Sequence, residues 1–114
     1  MKKVLLTGIS LSLMIFTLNA QSFESSEKEK MQKINFAQAI FRKKLQKKCG
    51  YTAGYWAQQH TLIEWKFITA SGDFKHEFAA MCPRGAEVLK EKWIEPLYLF
   101  AKEYAKDTDQ RPKC

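Results

Sequence analysis

The sequence predicts an all-α fold, a single small domain of four to five helices, and three observations predict it. Apolar residues recur three or four positions apart through most of the chain after residue 26. The segments Ser26-Glu27-Lys28-Glu29 and Thr61-Leu62-Ile63-Glu64 have the Ser/Thr-x-x-Glu form of a capping box, in which hydroxyl and carboxylate each satisfy a free backbone N–H. Gly50 and Gly72 stand where two of the periodic stretches end, as residues able to take the left-handed conformation that closes a helix.

The chain opens on a leader. Met1-Lys2-Lys3 is a short cationic segment, and Val4 to Leu18 is apolar apart from small or hydroxylated residues, the pattern of a secretory signal peptide. At roughly 15 residues that stretch is shorter than the ~20 a permanent membrane-spanning helix needs. Ala20 supplies a small residue before a cut, so residues 1–20 are expected to be removed and the mature chain to run over 21–114. Its helical core is expected over about 27–106, followed by a loose polar tail over 107–114.

The elements follow in order. After Ser26, the positions Met31, Ile34, Ala37, Phe41 and Leu45, widened by Phe36 and Ile40, make the apolar stripe of a first helix stopped by Gly50. Tyr51 to His60 is a short helix packed by Tyr55 and Trp56. A third helix starts at the Thr61 box and runs through Trp65 and Ile68 to Ser71-Gly72. Asp73 can cap a fourth, Phe74 to Met81, ended by Cys82-Pro83. From Ala86, the residues Val88, Leu89, Trp93, Ile94, Leu97, Tyr98, Ala101 and Tyr104 keep helical spacing, and Pro96 is expected to kink or divide that last helix because it lacks a backbone donor.

Of the 19 Lys and Arg residues, two lie in the leader, so 17 cations face 12 acids and the mature net charge is +5. The excess is local: Arg42, Lys43, Lys44, Lys47 and Lys48 form a basic patch without an intervening acid. Such a run favours anionic partners, although cations at the end of a helix also complement its dipole at ~0.3–1 kcal/mol each. All three cysteines, Cys49, Cys82 and Cys114, follow the leader, where an oxidising compartment permits a bridge. Antiparallel packing of the first and last helices favours a Cys49–Cys82 disulfide and leaves Cys114 as a spare thiol, open to a disulfide-linked dimer.

Little in the chain carries catalysis. His60 and His76 are the only histidines, and neither stands in a zinc-type spacing, so no metal site and no catalytic residues are expected. The aromatic residues suffice for a ring-filled core and would also suit the wall of a haem pocket. For that alternative, His60 and Met81 are the pair of haem ligands the sequence offers.

Two segments then carry a resemblance. Ala37 to Gly54 looks like the first helix and turn of small periplasmic class I cytochromes c, and Trp93 to Ala105 is similar to their closing helix. Over residues 27–114 the chain resembles short exported cytochrome c-like proteins of epsilonproteobacteria, through Lys47 to Gly50, His60 to Trp65, Cys82-Pro83 and Cys114. The resemblance implies a cytochrome c-like scaffold. The Cys-x-x-Cys-His haem-attachment motif is absent, because Cys49 is followed by Gly50-Tyr51-Thr52-Ala53, so it does not imply covalent haem.

The expectation is therefore a periplasmic or secreted helical protein that acts as a non-enzymatic binding module without a cofactor. Its partner is expected to be an envelope protein or an anionic surface, not a nucleic acid. The alternative is a periplasmic electron carrier holding haem non-covalently.

Overall fold

The computed structural model describes residues 26–110. The expected leader and cleavage point, and Cys114, lie outside the described residues. Residues 1–31 make one unit, of which 26–31 are described and helical; residues from 32 onward make a second, and the buried core lies in it.

The first helix, α1, is helical over 26–49 and changes pitch on the way: Phe41–Leu45 is a π-helical turn, closed by the bond from the Gln46 N–H to the Phe41 carbonyl, and Gln46–Cys49 returns to α-helix. Ile34, Ala37, Phe41 and Leu45 are buried, as the stripe predicts, whereas Met31 and Phe36 are each 44% exposed and stand outside it. Gly50 ends the helix at φ 81°, its N–H reaching the Gln46 carbonyl at 2.8 Å. Only glycine takes that conformation cheaply.

The second helix, α2, is shorter than expected and spans Ala53–Ala57, with Thr52 as its cap accepting the Tyr55 N–H at 3.2 Å. The third, α3 (Leu62–Ala70), carries the predicted capping box in full: Thr61 Oγ1 accepts the Glu64 N–H at 3.2 Å and Glu64 Oε1 accepts the Thr61 N–H at 2.8 Å. It ends in paired bonds from the Gly72 N–H to the Thr69 carbonyl and from the Asp73 N–H to the Ile68 carbonyl, with Gly72 at φ 78°. The fourth, α4 (Phe74–Met81), follows. Here the Asp73 side chain makes no capping bond, against expectation, and Met81 is the last helical residue, as the spacing predicts.

Two corrections concern the C-terminal third. The Cys82-Pro83 step ends one helix and starts another, α5 (Pro83–Ala86), because proline suits a first helical position and Cys82 Sγ accepts the Gly85 N–H at 3.2 Å. Val88 and Leu89 therefore lie in a turn, and Lys90, in extended conformation, starts the last helix, α6 (Glu91–Glu103). Pro96 does not divide α6. It is buried inside it with Trp93, Leu97, Phe100 and Ala101 on both sides, and that burial outweighs the ~3 kcal/mol a helix-interior proline costs. The described residues hold six helices and no strand.

Trp56, fully buried, is the centre of the core. Its ring lies 5.0 Å from Trp65, 5.7 Å from Phe41, 5.8 Å from Phe78 and 6.1 Å from Phe74, centroid to centroid. These are the tilted and edge-on separations that aromatic quadrupoles favour. Cys49, at the end of α1, and Cys82, ahead of α5, are bridged, with Cα atoms 5.1 Å apart and a sequence separation of 33. Gly85 packs directly on this bridge: a Cβ there would come within 2.5 Å of Cys82 Sγ and 3.0 Å of Cys49 Sγ.

The beginning of the tail is not loose. The Lys106 N–H reaches the His60 carbonyl at 3.0 Å, Asp107 Oδ1 accepts the Leu62 N–H at 2.8 Å, and the Thr108 hydroxyl donates to the carbonyls of Ala105 and Glu103. The donors at the start of α3, unsatisfied within the helix itself, draw the tail in.

Candidate anion-binding cleft

The basic run of α1 divides into residues that line a cleft and residues that do not. Lys44, in the π-turn, and Lys48, four residues on, face a cleft of about 200 Å³ whose remaining walls are Val88 and Lys90 from the turn before α6 and Trp93 from its first turn. Arg42, Lys43 and Lys47 are exposed on the same helix but do not line it. The disulfide beside Lys48 holds the end of α1 to the start of α5, the helix that precedes the turn bearing Val88 and Lys90.

The cleft is cationic above and apolar below. Trp93 is only 5% exposed and forms part of the floor with Val88, while the Lys90 ammonium lies 5.5 Å from the Trp93 ring centroid, within cation–π range. Elsewhere, lysines meet acids: Lys33 is paired with Glu95 and Lys75 with Glu91. Among the described residues neither Lys44 nor Lys48 is within ion-pair distance of a carboxylate. Two like charges at i and i+4 repel by a few tenths of a kcal/mol, a cost that an added anion would remove.

The other sequence candidates are placed apart from this cleft's lining. His60, at the turn before α3, sets Nε2 2.7 Å from Glu77 Oε1 and Nδ1 3.8 Å from Glu64 Oε1, and stands edge-on to Trp65 at 4.9 Å. Its ring nitrogens are thus both directed at carboxylates and link α3 to α4. Met81 is half-buried against the core, and its carbonyl accepts the Tyr51 hydroxyl at 2.9 Å. Burial pushes the Tyr51 phenol up from its ordinary value, with the Tyr55 phenol adding to the effect. His76 is exposed on α4. Among the described residues no three His, Cys, Asp or Glu side chains are grouped to hold a metal ion.

Glu64 has a perturbed acidity of its own. The Thr61 backbone N–H, then the Thr61 hydroxyl, hold its carboxyl below the usual range, with smaller help from His60 and Lys106. This is the acidity of a helix cap, and it explains why a carboxylate stands there.

Sequence reasoning found Lys44 and Lys48 but missed Lys90, Val88 and Trp93 as their neighbours. The signal that could have found them is the extended Lys90 ahead of an acidic first turn, Glu91, which marks a helix start after a turn. No helix among the described residues is long and apolar enough to cross a membrane. In comparisons with known proteins, no family model, no curated protein and no solved structure matches the chain.

Proposed function

We propose that the protein is an exported, non-enzymatic binding module on a cytochrome c-like helical scaffold, and that it engages an anionic partner in the cell envelope, a protein or a charged surface, through the basic end of α1. One observation carries this reading: Lys44 and Lys48 converge with Lys90 on a cleft without a carboxylate to neutralise them. The disposition of His60, whose ring nitrogens face Glu77 and Glu64, supports a structural part for that side chain over cofactor ligation.

The test is electrostatic. Binding of the oxidised protein to immobilised polyglutamate and to phosphatidylglycerol vesicles is expected to weaken steeply as salt rises from 0.05 to 0.5 M, since the Debye length falls from above ~10 Å to a few Å. The Lys44→Glu/Lys48→Glu variant should bind neither. Binding indifferent to both salt and charge reversal would sink the reading.

A further inference from the structure

The chemistry of the cleft is narrower than a preference for negative charge. Lys44, Lys48 and Lys90 all line a space of about 200 Å³, smaller than the ~300–1,000 Å³ of drug-sized pockets. That volume admits one small charged group and the few carbon atoms next to it. The arginine of the basic run, Arg42, whose planar fork would suit a carboxylate bidentately, is not among the lining residues. Lysines act as point charges and are suited to phosphate oxygens. A carboxylate offers one charge and two oxygens, which leaves three converging cations under-neutralised. A phosphomonoester offers close to two charges and three strong acceptor oxygens, one for each ammonium. Trp93 and Val88 then supply an apolar floor for the carbon that carries the ester, with the Lys90 ammonium held over the indole ring.

Resting on the anionic-partner reading above, we propose that this cleft is a phosphate-group site: it seats the phosphate of a small phosphate ester among Lys44, Lys48 and Lys90, with the ester's first carbons against Trp93 and Val88. A free phosphorylated metabolite and a lipid ending in a phosphomonoester, such as phosphatidic acid, present this same chemistry.

The experiment uses the oxidised full chain and follows tryptophan fluorescence and calorimetric heat against four probes: glycerol 3-phosphate, phosphatidylcholine vesicles containing phosphatidic acid, vesicles of phosphatidylcholine alone, and a hexaglutamate peptide. Saturable binding of glycerol 3-phosphate identifies a soluble source, and binding of the phosphatidic acid vesicles alone identifies a headgroup. Either supports the proposal if Lys44→Gln, Lys48→Gln and Lys90→Gln each weaken it by roughly tenfold, as expected for the loss of one charge-assisted hydrogen bond. Lys66→Gln/Lys106→Gln removes two exposed cations from elsewhere and should change affinity by less than about threefold, since exposed charges beyond a Debye length are screened. All the substituted lysines are exposed, so the variants should keep the wild-type circular dichroism. Equal losses from the cleft and the control variants would overturn the site while leaving the anionic-partner reading intact. Binding of hexaglutamate with neither phosphate probe would do the same. Failure to bind any anionic probe would overturn both.

Discussion

Gly85 shows how a single missing atom can decide local packing. Its Cα lies so close to both sulfurs of the bridge that a methyl group would meet Cys82 Sγ at 2.5 Å and the Phe78 ring at 3.2 Å. Neither neighbour can yield, since one is covalently held and the other is core. Gly85→Ala should therefore destabilise the protein by about 1–3 kcal/mol, the usual cost of overpacking, measurable as a lower urea midpoint with an unchanged slope. Glu64 gives a second test at this scale. A carboxyl whose folded acidity is stronger than its unfolded one contributes stability at neutral pH that is lost as the pH falls through the unfolded value and below it. The difference in melting temperature between wild type and Glu64→Ala should thus be present at pH 7 and shrink on acidification below about pH 4.5. A gap that widened in acid would refute the assignment. Glu64 was legible as the far end of a capping box, but Gly85 depends on a long-range bridge that brings Cys49 beside it.

The helices themselves were legible where local chemistry terminates them. The Thr61 box, Gly50 and Gly72 behave as their residue types demand, because cap and stop signals act within a few residues. Thr61→Ala is expected to cost about 1 kcal/mol by calorimetry, since one cap bond is lost at the start of α3. The errors lie where distant packing overrides a local rule. Pro96 continues α6 because the residues on either side of it are buried, and Val88 and Leu89 leave the helix because Lys90 restarts it. On α3, Ile63 and Phe67 are each 71% exposed, beside the charged Glu64 and Lys66, and only Trp65 is buried there. The π-turn of α1 had no visible signature, since Phe41 and Leu45 keep the i, i+4 spacing that an ordinary α-helix would also bury.

At the scale of the whole molecule, the Cys49–Cys82 bridge closes a loop of 33 positions. Constraining an unfolded chain over that length is worth roughly 3–4 kcal/mol, so Cys82→Ser should lower stability by about 2–5 kcal/mol in denaturant titration. For a small domain that is a large fraction of the total. The pairing followed from the expectation that the first and last helices lie against each other, and the structure places the partner cysteine ahead of α5, nine residues before α6 begins. The basic half of the cleft was visible as a charge run, while the half made of Val88, Lys90 and Trp93 was not, because cavities form between segments and leave no mark in either one alone.

The strap made by Lys106 and Asp107 sets an order of events. The first turn of α3 is completed by a bond from the Leu62 N–H to Asp107, 45 positions later, and the turn before it by a bond from Lys106 to the His60 carbonyl. A chain that emerges from its amino end therefore exposes α3 with its start unfinished until nearly everything else has followed. At ~5–20 residues per second, that interval is on the order of seconds, far longer than a helix takes to form. The middle of the chain waits for its end, so truncation just before residue 106 removes the closing contacts of a helix more than forty residues away.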